Sequence, residues 1–141
     1  MRPRTRAILC AAAVAAATLS AAPAASAAAG ITTTWVQVHG AQYGTLWVGG
    51  TATCSTTSGT AAVRVSAFQI LMHMASDAGS TTISCAAQPA QWSVQMSPQA
   101  QCFFQPLLDQ RCFMTNSQAT VLAEVVESGV PTASSMGVFA T

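Results

Sequence analysis

Threonine, valine and serine alternate with apolar residues through most of the chain, and clusters of Gly, Ser, Asn and Pro separate the alternating runs. A period of two sends successive side chains to opposite faces of a strand, so this texture predicts β-structure. Strands are expected at residues 32–39 (TTTWVQVH), closed by Gly40, and at 45–54 (TLWVGGTATC), where Leu46, Val48, Gly50, Ala52 and Cys54 share one face. The Gly49–Gly50 pair predicts a bulge or bend in that second strand. A turn at 55–59 leads to a long third strand, 61–74, either continuous or broken near Phe68. SDAGS at 76–80 reads as a tight turn. A short strand at 81–85 then places Thr81, Ile83 and Cys85 together. Trp92, Val94 and Met96 alternate inward along 92–96, and 97–116 reads as irregular. In 117–127 (SQATVLAEVVE), Ala119, Val121, Ala123 and Val125 share a face. Ala, Leu and Glu would also suit a helix there, but the paired valines and the period-two face favour a strand. A turn around 129–131 precedes a last strand at 134–140.

Seven short strands with a turn signal every 8–14 residues or so predict an all-β fold, an antiparallel two-sheet sandwich. The two halves show no internal repeat and no charged linker, so one domain is expected.

The first residues are organised differently. Arg2, Arg4 and Arg6 form a basic start, residues 7–19 are apolar without a charge, and an alanine-rich stretch follows with Pro23 and an A-x-A site at Ala25-Ser26-Ala27. That order is a secretory signal peptide. The expected division is a cleaved signal peptide at 1–27 and an exported domain at 28–141, with extracellular localisation. The apolar run is well short of the ~20 residues needed to cross a bilayer, and no later segment reaches that length, so no membrane span is expected in the mature form. The mature chain, about 114 residues, has the size of a single-core domain.

Composition sharpens this picture. Over the whole chain 51% of residues are apolar and only 6% charged, with a formal net charge of +1. Removing the leader leaves two arginines, Arg64 and Arg111, against Asp77, Asp109, Glu124 and Glu127. A weakly acidic, lysine-free domain is a poor partner for nucleic acid, and no glycine-rich phosphate loop is present.

Four cysteines remain in the mature chain: Cys54, Cys85, Cys102 and Cys112. An even count in a small exported protein points to two disulfides, and four cysteines allow three pairings. Cys54 and Cys85 both fall on the inward parity of their strands, which favours Cys54–Cys85 together with Cys102–Cys112. Trp92 would pack near the first bridge. A zinc site is the rival reading, but no C-x-x-C pair occurs and neither His39 nor His73 lies near a cysteine.

The stretch GGTATC…TTISC…W, followed by SQATVLAEVV and a short closing strand, resembles small secreted proteins of actinobacteria. In those proteins a G-T-x-x-C strand, a second cysteine and a nearby tryptophan mark an immunoglobulin-like sandwich of unknown function. The likeness runs from Gly49 to about Glu127, and the alanine-rich leader suits the same high-GC bacteria. It implies the fold and transfers no catalytic or binding residue.

Catalytic chemistry finds little support. A hydrolase triad would need His39 or His73 beside a serine and an acid, and no G-x-S-x-G elbow accompanies either. Glu124 and Glu127 have opposite parity, so they do not form a glycosidase pair. No cofactor is expected. The most distinctive segment is CFFQPLLDQRC, residues 102–112, in which a disulfide would enclose Phe103, Phe104, Leu107 and Leu108. Surface loops are ordinarily polar. These side chains either cap the open end of the sandwich or form an apolar tip that grips a partner. Trp35, Trp47 and Trp92 are expected in the core, with a carbohydrate-stacking platform as the alternative. The expectation is therefore a secreted, non-enzymatic binding or cell-envelope-associated module whose partner, an extracellular protein or envelope component, meets loop 102–112. A protease inhibitor presenting Leu108 is the first alternative, and a small extracellular hydrolase the second.

Overall fold

The computed structural model describes residues 27–70, 74–96 and 112–141. They form an all-β structure of two antiparallel sheets. The strands are β1 (Gly30–His39), β2 (Tyr43–Thr53), β3 (Thr60–Gln69), β4 (Ala75–Ser84), β5 (Ala90–Met96), β6 (Phe113–Met114), β7 (Gln118–Glu127) and β8 (Val130–Ala140). One sheet has the order β1-β2-β5, with β6 paired to the start of β2, and the other has the order β4-β3-β7-β8. In the stack, β1 faces β8 and β5 faces β4. The leader 1–26 lies outside the described residues. Among those described, no helix is long and apolar enough to cross a membrane.

The alternating pattern sorts side chains as expected. Leu46, Val48, Ala52 and Cys54 from β2 and its end, Trp92, Val94 and Met96 from β5, and Val121, Ala123 and Val125 from β7 all enter one core cluster. Residues 118–127 are strand rather than helix, because the odd-numbered positions have a sheet to face.

Three expectations need correction. The first concerns residues 76–80, which are not a turn but the middle of β4, with Ser76, Ala78 and Ser80 registered against Phe68, Ser66 and Arg64. The third strand accordingly stops at Gln69 and does not run to 74. Asp, Gly and Ser are poor strand formers, but β4 is an edge strand, and Gly79 has a packing reason to be there. A Cβ at Gly79 would lie 2.5 Å from Val94 Cγ1, so the glycine lets the two sheets close on each other.

The second concerns the bulge, which sits in β1 rather than at the Gly pair. Register shifts between Thr33, opposite Gly50, and Trp35, opposite Gly49, leaving Thr34 as the extra residue. Inward parity therefore changes from Ile31 to Val36 and Val38. The glycines of β2 accommodate the bulge without forming it.

The third concerns the strand count, which is eight, because Phe113–Met114, within the span expected to be irregular, pairs with β2 as β6. In addition, β8 begins at Val130, since β7 and β8 are joined by a two-residue turn in which Ser128 (φ 53°) and Gly129 (φ 82°) are both left-handed. Two central residues of positive φ match the twist of a tight hairpin. Pro131 is tolerated because β8 is an edge strand.

Candidate binding face

Cys54 follows β2 of one sheet and Cys85 follows β4 of the other, and they form a disulfide with Cα atoms 5.6 Å apart. Both are buried, so the bridge staples the sheets at one end, as the parity argument predicts. A buried disulfide suits an oxidising, extracellular-type environment. Around it, the carboxylate of Glu127 accepts the Ser55 amide at 3.0 and 3.1 Å through its two oxygens. The Cys85 amide donates to Gly59 O, and Gln88 Nε2 donates to Cys85 O at 2.8 Å. Burial pushes the Glu127 carboxyl up, but hydrogen bonds from Thr132, Ser55 and Thr56 outweigh it and hold the group below its ordinary value. Neither Glu127 nor Gln88 stands out in the sequence, because their partners are more than 30 residues away or set by a turn.

The Sγ atoms of Cys54 and Cys85 and the Glu127 carboxylate lie within 4.8 Å of one another. The sulfurs are consumed in the S–S bond, which leaves one carboxylate and no ligand set for zinc. Cys112 is also disulfide-bonded and buried. Cys102, Phe103, Phe104, Leu107 and Leu108 lie outside the described residues, as does His73. Before the segment 97–111 stands Met96, opposite Leu46, and after it Phe113, opposite Gly44, so both flanking residues sit at one end of the β1-β2-β5 sheet. Gln69 anchors the return. Its buried amide receives the Met114 N–H at 2.7 Å and donates to Met114 O at 3.0 Å and Thr141 Oγ1 at 3.2 Å.

The tryptophans divide between core and surface. Trp92 is in the core, as expected. Trp35 and Trp47 instead lie on the outer side of the β1-β2-β5 sheet, Trp35 partly exposed and Trp47 half-buried, which corrects the expectation that all three are in the core. Trp47 alternates with inward Leu46 and Val48, and Trp35 is turned out by the bulge at Thr34. The Trp35 indole rests on the backbone of Gly49, where an added Cβ would come within 2.2 Å of its Cζ2. Trp35 keeps 38% of its surface exposed. The register sets Gln37 beside Trp47 and Gln95 on the other side of it. The His39 ring packs against Trp47 with centroids 5.8 Å apart, and its Nε2 lies 3.4 Å from Gln37 Oε1. Trp35, Trp47 and His39 thus form an aromatic strip flanked by Gln37, Ser93 and Gln95.

No Asp, Glu, Lys or Arg occurs in β1, β2 or β5. The charges of the described sheets, Arg64, Asp77, Glu124 and Glu127, all belong to the four-stranded one. Among the described residues, the outer face of the β1-β2-β5 sheet therefore presents the Trp35 indole, part of Trp47, the His39 ring, amides and hydroxyls, and no Asp, Glu, Lys or Arg. Such a face stacks on the C–H faces of a neutral polyol while its amides serve hydroxyl groups.

The chain matches no protein-family model and no curated protein sequence.

Proposed function

We propose that this is an exported, non-catalytic binding module of immunoglobulin-like architecture that docks on an uncharged glycan of the cell envelope through the Trp35–Trp47 face. The carrying observation is that β1, β2 and β5 hold no Asp, Glu, Lys or Arg, yet their outer side carries Trp35, 38% exposed and seated on Gly49, beside the half-buried Trp47. Export is supported by the leader pattern at 1–27 and by the buried Cys54–Cys85 bridge. An immunoglobulin-like class is supported by the strand orders β1-β2-β5, with β6 added at the start of β2, and β4-β3-β7-β8, and by crossings between the sheets that include 54–59 and 85–89. The segment 102–112 is proposed to extend the contact, because Met96 before it and Phe113 after it both pair at one end of the same sheet.

The test is sedimentation of the disulfide-bonded protein 28–141 with purified peptidoglycan and with insoluble neutral polysaccharide. The expected result is retention that falls at least tenfold, equivalent to about 1.4 kcal/mol, in Trp35→Ala and Trp47→Ala, with the circular dichroism spectrum unchanged. Replacement of Phe103, Phe104 and Leu108 by serine is expected to weaken retention further without loss of stability. No retention on either polymer overturns the glycan reading. Stoichiometric inhibition of a subtilisin-like protease would replace it with the inhibitor reading.

A further inference from the structure

The opposite side of the sandwich carries a second surface with different chemistry. Along the outer face of the four-stranded sheet, Met136 is 75%, Val138 63% and Phe68 40% exposed, and Leu122 lies beside Met136 in register. Large apolar side chains gathered on one exposed face mark an interaction surface. Their arrangement specifies the occupant.

Reading across β4, β3, β7 and β8, one row holds Ser76, Phe68, Thr120 and Val138, and the next holds Ala78, Ser66, Leu122 and Met136. The third holds Ser80, Arg64, Glu124 and Ser134. A two-fold axis parallel to the strands and midway between β3 and β7 exchanges β3 with β7 and β4 with β8. Under that operation every large side chain meets a small one. Phe68 falls on Thr120 of the second copy, Leu122 on Ser66, Met136 on Ala78 and Val138 on Ser76. Arg64 falls on Glu124, and Glu124 on Arg64, so the charges complement each other twice. An open recess of about 320 Å³ lined by Ser66, Ala78 and Gly79, with Arg64 and Glu124 at its edge, lies where the side chains of Leu122 and Met136 would enter.

We propose that this face is a self-complementary interface through which two copies of the chain form a face-to-face dimer. An isologous contact needs one patch that matches itself under a two-fold axis, and the large-to-small rows with the reciprocal Arg–Glu pair meet that condition. Four strands ~4.8 Å apart and ten residues long present a face of roughly 600 Å² per copy. Burying it on both copies reaches about the 1,200 Å² at which stable interfaces begin. The dimer leaves the tryptophan faces on its two outer sides, so glycan contact becomes bivalent.

The test is the oligomeric state of the disulfide-bonded protein 28–141 by sedimentation equilibrium up to about 100 μM, a range that detects dimers with micromolar dissociation constants. The expected mass is twice that of the monomer. Arg64→Glu alone and Glu124→Arg alone are each expected to be monomeric, since each places like charges across the axis. Mixing the two variants pairs opposite charges at both positions and is expected to restore the dimer mass, which a folding defect would not do. Met136→Asp is expected to give monomer with unchanged circular dichroism. A monomeric parent protein, a dimer indifferent to Met136→Asp, or a mixture that stays monomeric overturns the proposal.

Discussion

Gly79 and Glu127 show how single residues here take their role from partners distant in sequence. Gly79 sits where β4 presses on β5, 2.5 Å of clearance separating a would-be Cβ from Val94 Cγ1. Gly79→Val must push the sheets apart or force Val94 from its rotamer, so it is expected to destabilise the fold by about 1–3 kcal/mol, measured by urea unfolding. Glu127 clips the 55–59 turn beside the disulfide. Its folded pKa lies below the ordinary value of 4.5, so the folded state favours the carboxylate. The stability it contributes is present in full above pH 4.5 or so and is lost as pH falls through the folded pKa. Thermal unfolding of the parent and of Glu127→Gln from pH 7 to pH 3 is expected to show the parent more stable at neutral pH, with the difference closing below pH 4.5.

At the scale of elements, β6 illustrates a strand too short to carry its own signal. Two residues hold no periodicity, and Phe113–Met114 pairs with Tyr43–Gly44 because the Gln69 side chain occupies the backbone groups of Met114 like an extra strand. Gln69→Leu leaves a buried amide and carbonyl without these partners. The expected cost is about 1–3 kcal/mol, with faster hydrogen exchange at the Met114 amide than in the parent. The bulge in β1 acts in the same way on function. One added residue, Thr34, reverses the parity of the strand and turns Trp35 from the interior to the surface. An alternating pattern read from the sequence carries no mark of that insertion, because Thr33, Thr34 and Trp35 all suit a strand.

Across the whole molecule, the Cys54–Cys85 bridge closes a loop with a sequence separation of 31 and joins the two sheets. On the loop-entropy account such a cross-link contributes about 3.7 kcal/mol, so replacing both cysteines by alanine is expected to lower unfolding free energy by roughly that amount in a denaturant titration. The bridge was legible in advance because Cys54 and Cys85 share the inward parity of their strands, and so was the core, since Leu46, Val48, Val94, Val121 and Val125 announce their burial by alternation alone. The order of turns was legible where glycine or proline has no competing use. Residues 76–80 mislead because the glycine that makes a good turn is also the residue that lets two sheets approach, and sequence does not separate the two. The tryptophan face and the self-matching rows of the four-stranded sheet were beyond reach for one reason. Alternation fixes which side of its own strand a side chain takes. Register, bulge and sheet order decide which neighbours it meets there, and those depend on contacts between residues far apart in the chain, which only the folded molecule selects.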